Sequence, residues 1–425
     1  MASLDQPQLR PLRPYRIEHE GRAYVAFDDS LRVADPTAVV PIEVAQHVLV
    51  HFDGQATLPE IQARILQRTG QLLPAENLVT LVAQLDAAMI LEGPTFEAFR
   101  NDYHQQRVRP AALAGRSYAG TERALRAQLG RFFAHTEGAG LPDGKLRADA
   151  PHRRLRGVLS PHIDFYRGGP VYTWSYRELI ERSDAEVFVI LGVAHSLCRQ
   201  RFALTRKDFE TPLGLARTDR SYVDKVAALA GSHFFDDELA HRPEHSIEFQ
   251  VVFLQYLLEG RRDFSIVPIL AGSFQDLLER GIDPIDDPDV RRFVEALRAA
   301  EAASGQRVVY IGGIDLGHVG PEFGDPHLLD AETLEQLRAF DSAMLDYAAA
   351  GDAASWFAKA SLVGNRWRIC GLAATYTMLH AMGPAKGRLL RYGQAVNPER
   401  TCCVSFASLA FDHTEGVAFD ADAPA

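Results

Sequence analysis

The chain has 425 residues, of which 47% are hydrophobic and 24% charged, and its formal net charge is −11 at neutral pH. A chain of this length usually divides into more than one hydrophobic core, so we expect two domains. The acidic balance argues against a nucleic-acid partner, because phosphate recognition needs clustered lysine and arginine side chains.

Export and membrane insertion are also not expected from the sequence. The N-terminal residues MASLDQPQLRPLRPYR contain no apolar signal core, and no stretch approaches the roughly 18 consecutive apolar residues of a membrane span. The four cysteines, Cys198, Cys370, Cys402 and Cys403, have no metal-type C-x-x-C spacing. A reducing cytoplasm is the simplest location for such a chain.

The first 95 residues predict a small domain that combines a β-ribbon with helices. AYVAFDD alternates like a strand, LPEIQARILQRTG has helical spacing and ends at Gly70, and a second helix follows Pro74. This order resembles PqqD-like peptide-recognition domains, which are winged-helix modules, and the resemblance implies binding of a leader peptide. A packing or dimerisation module without a ligand is the alternative. Residues 96–108 are polar and helical in pattern and are interpreted as a connector.

Residues 109–425 predict an α/β domain with a mainly parallel or mixed sheet. Five apolar runs read as buried strands that alternate with helices: GVLS, EVFVILGVA, FSIVPIL, RVVYIGG and CCVSFASLAF.

Three of these strands run directly into residues that can bind a metal. GVLSPHID leads to His162 and Asp164, VFVILGVAH leads to His195, and VVYIGGIDLGH leads to Asp315 and His318. Ligands of α/β sheets collect outside the carboxyl ends of the strands, so these side chains are expected to meet in one crevice. A single histidine after a strand is usually an ordinary loop residue, but a threefold repeat favours a site.

The segment HRPEHSIEFQVVFLQYLLEG predicts a further helix beside this crevice, with Pro243 in its first turn. His245 and Glu248 are one turn apart and are expected to face the cleft. Glu244 is interpreted as a charge that compensates the helix dipole.

Taken in order, several phrases resemble the Memo family, whose bacterial members are called system protein B of the AmmeMemoRadiSam set. They are SPHIDFYRGGPVYTWSYREL, VILGVAHS, TPLG, EHSIEFQVVFLQYLL, GGIDLGHVG, CGLAA and VSFASLAF, within residues 108–413. The resemblance implies a fold like that of class III extradiol dioxygenases. It also implies a metal cleft that uses two histidines and, in some members, a cysteine.

The resemblance implies, by motif, that the two metal-ligating histidines are His162 and His195. The cysteine position of the family's Asp-x-x-His phrase falls on Gly317, which has no side chain for a metal. His245, His318 and Asp315 then remain as catalytic residues or as the missing ligand, and iron, zinc or copper would suit such a divalent site.

A second departure is HIDFYRGG, where many relatives have a His-Ala-Gly-Tyr phrase. It places Asp164 and Arg167 near the mouth of the pocket, where they and Glu248 are predicted to bind substrate. The alternative is structural: Asp164 caps a turn and Arg167 pairs with it on the surface.

Three functions are compatible with these residues. The first is a non-haem metal-dependent oxidoreductase or dioxygenase acting on an aromatic or peptidic substrate, and a leader-binding N-terminal domain would favour a ribosomally made peptide. The second is a non-catalytic protein that holds a peptide, a partner or a metal in the same cleft. The third is a metal-assisted hydrolase.

Overall fold

The computed structural model describes residues 4–143 and 155–414, and the chain divides into two compact units at residues 106 and 107. The first unit begins with a three-stranded antiparallel sheet of order β1-β2-β3, made of β1 (Arg13–His19), β2 (Arg22–Asp28) and β3 (Val39–Pro41). Four helices follow: α1 (Ile42–His47), α2 (Leu58–Thr69), α3 (Ala75–Ala87) and α4 (Pro94–Gln105). A 3-10 turn spans Leu49–His51.

The predicted ribbon and both predicted helices of this unit are present. All of AYVAFDD except its last residue lies within β2, and α2 ends at Gly70, which adopts the left-handed conformation with φ of 71°. The segment interpreted as a connector is mostly helical, as its pattern predicts, and it belongs to α4. Phe96 and Tyr103 of this helix are buried, and the Arg10 guanidinium lies 4.1 Å from the Phe96 ring centroid. The peptide-recognition role of this unit stays a prediction.

The second unit is built on an eleven-stranded mixed sheet. The strand order is β12-β14-β5-β11-β6-β10-β9-β8-β4, with β13 paired to β14 and β7 paired to β10. The strands are β4 (Val108–Arg109), β5 (Leu155–Ser160), β6 (Val187–Val193), β7 (Phe202–Leu204), β8 (Asp208–Thr211), β9 (Gly214–Thr218), β10 (Ser265–Ala271), β11 (Val308–Gly313), β12 (His318–Val319), β13 (Ala385–Val396) and β14 (Cys403–His413). The five apolar runs predicted to be strands are β5, β6, β10, β11 and β14.

Helices cover this sheet on both faces. They are α5 (Glu122–Ala134), α6 (Phe165–Arg182), α7 (Arg220–Ala230), α8 (Glu248–Leu258), α9 (Gln275–Glu279), α10 (Pro288–Ser304), α11 (Ala331–Ala350), α12 (Ala353–Ser361) and α13 (Leu372–Met382). Short 3-10 helices span Ser232–Phe235, Glu238–His241, Pro284–Asp286 and Pro321–Phe323. Among the described residues, no helix combines the length and apolar character needed to cross a bilayer.

The central strands are apolar on both faces because each face packs against helices. Along β6, Val187, Val189 and Leu191 belong to one hydrophobic core, which includes residues of α7 and α10 to α13. The alternate residues Phe188 and Ile190 belong to a second core with α5, α6 and α8. Since β5, β11, β6 and β10 run parallel, their carboxyl ends share one edge of the sheet.

The core behind β13 contains a buried carboxyl group, Asp341 of α11, whose Oδ2 accepts a 2.8 Å hydrogen bond from the Tyr392 hydroxyl. Burial raises the pKa of Asp341 to about 6. The folded pKa exceeds the unfolded value, so this group stabilises the fold most at low pH and that stability is lost as pH rises through about 6.

We expect the free energy of unfolding of Asp341→Asn to increase relative to that of the parent as pH rises. The relative gain between about pH 4.5 and about pH 8 should be about 2 kcal/mol in the free energy of unfolding. Urea unfolding followed by tryptophan fluorescence measures it, because Trp174, Trp356 and Trp367 all lie in the second unit. A difference in the free energy of unfolding between variant and parent that stays constant with pH would contradict the raised pKa.

Candidate metal centre

His162 lies directly beyond the carboxyl end of β5. It is held by hydrogen bonds to the last residue of β11 and to the loop that follows β11. Its backbone N–H donates to Asp315 Oδ1 at 2.9 Å, and its ring Nδ1 lies 2.9 Å from the carbonyl oxygen of Gly313. A carbonyl partner requires Nδ1 to carry the proton, so Nε2 is the atom with a lone pair. Burial, reinforced by the charges of His195 and His245, lowers the pKa of His162 well below its usual value.

His195 and His245 approach His162 from β6 and from the turn before α8. The ring centroids are 5.0 Å apart for His162 and His195, 5.0 Å for His162 and His245, and 4.6 Å for His195 and His245. One ligand nitrogen from each ring lies within 4.8 Å of the others. The structure therefore brings the two predicted metal ligands together and adds His245 as the third imidazole.

One buried carboxylate, Glu244, orients two of these rings. Its oxygens lie 3.0 and 3.1 Å from His195 Nδ1 and 3.2 Å from His245 Nδ1, and they accept the backbone N–H groups of His195, His245 and Ser246. Burial opposes its ionisation, but the two histidines outweigh burial and hold the pKa of Glu244 well below its usual range. The interpretation of Glu244 as a helix-dipole charge is corrected, because α8 begins only at Glu248.

The Glu244 carboxylate also affects the basicity of His195 and the choice of its ligand atom. Partial desolvation of this ring disfavours protonation, but the Glu244 carboxylate outweighs that effect and raises the pKa of His195 well above its usual value. A carboxylate on Nδ1 leaves Nε2 as the natural ligand atom and makes it more basic, as in many metal-bound histidines. The His195 side chain is 41% exposed, so the centre is open on this side.

A sulfur atom at this centre was not predicted from the sequence. The Sγ atom of Cys370 lies 3.2 Å from His162 Nε2 and 3.5 Å from the carbonyl oxygen of Asp315. Gly317, the position where a cysteine was expected, donates its N–H to Ser405 Oγ, and a Cβ there would approach Leu337 Cδ1 to 2.5 Å. A thiol is therefore present, and the signal that pointed to it was the CGLAA phrase that leads into α13.

These donors fit a divalent transition-metal ion. Histidine nitrogens bound at about 2.0–2.1 Å lie about 3.3 Å apart in tetrahedral geometry, so small side-chain rotations would close the triad around an ion. Three imidazoles and a thiol suit iron, copper or zinc, whereas calcium and magnesium prefer oxygen ligands.

Comparison with known proteins places the second unit in a family. The family model described as Memo-like protein matches residues 109–410, which span β4 to β14. The chain belongs to the Memo family. A MEMO1 family protein of Thermus thermophilus is 30% identical over 339 residues, covering 79% of this chain and 93% of the relative.

Further Memo-family relatives extend the comparison. A MEMO1 family protein of Aquifex aeolicus is 24% identical over 404 residues, covering 91% of this chain and 96% of its own length. One of Methanococcoides burtonii is 32% identical over 228 residues, covering 53% of this chain and 75% of the relative. The second unit is about three-quarters of the chain, so the Aquifex alignment extends into the first unit.

Asp315 and His318, the other candidates for a third ligand, lie beside the triad rather than in it. Asp315 Oδ2 is 3.7 Å from His162 Nε2, and burial raises the pKa of Asp315 to about 7. The Nδ1 atom of His318 lies 3.1 and 3.2 Å from two backbone carbonyl oxygens, and its ring meets that of Phe323 edge-on at 5.1 Å. Burial lowers the pKa of His318 to about 4, so the ring is neutral at physiological pH.

The three residues predicted to bind substrate have different locations. Asp164 caps the start of α6 and pairs with Arg167, whose side chain is 47% exposed, so the structural alternative for this pair is observed. Glu248 does not face the cleft. It is fully buried and its carboxylate receives hydrogen bonds from Arg109, Tyr118 and two backbone N–H groups, which corrects the prediction that it binds substrate.

Proposed function

We propose that this Memo-family protein binds one divalent metal ion through His162, His195 and His245, with the Cys370 thiol beside them, and acts as a non-haem metal-dependent oxidoreductase. The observation that carries the proposal is the convergence of three imidazoles whose Nδ1 atoms are already occupied by Gly313 or Glu244. Such outer partners fix the ring orientation and the tautomer in established metal sites. An aromatic or peptidic substrate is part of this proposal.

A metal held by three imidazoles keeps positions open for a substrate and for redox or Lewis-acid chemistry. The residues of the chain perform the remaining tasks. Glu244 supplies negative charge, which offsets the charge of a bound cation, and the Gly313 carbonyl keeps His162 Nε2 deprotonated. Asp315, with its pKa raised to about 7, can hold or release a proton beside His162 near neutral pH.

Binding of nitric oxide to the iron(II)-loaded protein tests whether the centre is open for redox chemistry. Prepared without oxygen, the loaded parent should give the ferrous–nitrosyl electron paramagnetic resonance signal, because three protein ligands leave coordination positions free. His162→Ala/His195→Ala should bind little iron and give no such signal. A parent that holds iron but gives no nitrosyl signal would overturn the oxidoreductase proposal and favour a closed structural site.

A further inference from the structure

The turn before α8, residues 242–247, carries two groups of the metal centre but contains no helix or strand. It lies between a 3-10 helix that ends at His241 and the start of α8. The Glu244 carboxylate accepts the N–H groups of His245 and Ser246, which fixes the turn locally. His241 and Glu244 are both buried, so their backbone carbonyl groups need hydrogen-bond donors from elsewhere in the chain.

A single guanidinium group, that of Arg109, supplies these donors. Its Nε donates to the His241 carbonyl oxygen at 2.8 Å, and its Nη2 donates to the Glu244 carbonyl oxygen. Its Nη1 donates to the Glu248 carboxylate at the start of α8. The planar guanidinium holds its donors in a fixed arrangement, so the residues before, within and after the turn are kept at fixed positions relative to one another.

Arg109 is itself held by elements outside the turn. It lies on β4, which pairs with β8, and its guanidinium carbon lies 5.1 Å from the Phe209 ring centroid. Arg109 and Glu248 are both fully buried, and Tyr118 donates a further hydrogen bond to the Glu248 carboxylate. Buried ion pairs often add little net stability, because desolvation of the two charges offsets their attraction. An apolar pair of similar volume could fill the same space, but it could not hold the two carbonyl oxygens of the turn.

We propose that Arg109 is a positioning residue of the metal centre, which sets the conformation of the turn before α8 and so the placement of His245 and of the Glu244 carboxylate. This inference rests on the proposed function and deepens it, because it assigns the group that positions the third imidazole. His162 and His195 follow strands of the sheet, whereas His245 depends on this turn. Functional sites need their groups held to within about 0.5 Å, so a small shift of the turn is enough to weaken metal binding.

The double variant Arg109→Met/Glu248→Leu separates positioning from stability. It removes the hydrogen bonds to the turn without leaving an uncompensated buried charge. In the full chain, competition with a chelator should show zinc affinity lowered by about 10- to 100-fold, and the visible absorption spectrum of the cobalt(II)-loaded protein should change with the ligand geometry. Arg109→Lys keeps the charge beside Glu248 but not the planar fork, so it should also bind zinc more weakly than the parent. Should circular dichroism show that the double variant is unfolded, Arg109→Lys decides the question.

Arg156 and Glu301 form a matched control pair in the same unit. They are joined by a salt bridge with side chains 8% and 19% exposed, and Arg156 Nε donates to the Met382 carbonyl oxygen at 2.8 Å. This pair lies at the amino end of β5, whereas His162 follows its carboxyl end. Arg156→Met/Glu301→Leu should therefore keep the zinc affinity and the cobalt(II) spectrum of the parent.

Parental zinc affinity with a parental cobalt(II) spectrum in the folded Arg109→Met/Glu248→Leu variant, or in Arg109→Lys, would overturn the inference. Equal losses of affinity in the test pair and the control pair would overturn it too, because they would show general damage to the unit. The parent separates the two proposals. A parent that binds no zinc overturns the proposed function as well, whereas a parent that binds one equivalent and loses no affinity on substitution of Arg109 overturns this inference alone.

Discussion

Glu248→Leu is expected to lower the free energy of unfolding of the second unit by about 3–5 kcal/mol. Both Glu248 and Arg109 are fully buried, and the Glu248 carboxylate also accepts the N–H groups of Ala112 and Leu113 at 2.9 and 3.0 Å. The substitution leaves the guanidinium of Arg109 buried without its counter-charge. Since helix α8 is joined in this way to the segment that precedes α5, the loss affects the whole helical layer behind the metal centre.

Urea unfolding followed by tryptophan fluorescence measures this loss. Glu259 at the end of the same helix is the matched control, because it pairs with Arg126 while its side chain is 50% exposed. Glu259→Leu should cost less than about 1 kcal/mol. The double variant Arg109→Met/Glu248→Leu should recover part of the lost free energy of unfolding, because it leaves no uncompensated buried charge. Similar costs for Glu248→Leu and Glu259→Leu would contradict this account.

Glu244→Gln is expected to weaken metal binding by about 10- to 100-fold. The amide oxygen can still accept backbone N–H groups, so the turn before α8 keeps its shape. The negative charge that raises the basicity of His195 and balances a bound cation is lost. Competition with a chelator for zinc or cobalt(II) measures the affinity, and Glu335→Gln, which removes a carboxylate with 75% side-chain exposure, is the control.

A second readout separates this electrostatic role from general damage. In the metal-free parent the Glu244 carboxylate keeps His195 protonated above its usual pKa, so Glu244→Gln should lower the pKa of His195. Titration of the imidazole protons by nuclear magnetic resonance detects the shift. Unchanged affinity together with an unchanged His195 pKa would show that Glu244 does not act through this ring.

The sheet was predictable from sequence because its central strands are buried on both faces and appear as continuous apolar runs. The positions of His162 and His195 followed from the same feature, since each stands just beyond the carboxyl end of such a strand. The short strands β7 to β9 and the hairpin partner β13 were not predicted. They are short or only partly buried, so they do not appear in the sequence as long continuous apolar runs.

Glu244 and Glu248 were each assigned the wrong role, because the start of α8 was predicted too early in the chain. A helix that included Pro243 would put Glu244 in an exposed first turn and Glu248 on the cleft face. The actual helix begins at Glu248, so residues 243–247 form a turn that carries Glu244 and His245 into the centre. Cys370 was missed because it lies 208 residues from His162 and no local periodicity connects them.

The metal content of the purified chain tests the central claim most directly. Equilibrium dialysis against zinc or cobalt(II), followed by elemental analysis, should give one equivalent per parent chain. It should give almost none for His162→Ala/His195→Ala and one equivalent for His318→Ala, since the His318 ring hydrogen-bonds to backbone carbonyls outside the triad. Equal metal content in the parent and the double variant would contradict the assignment of this centre.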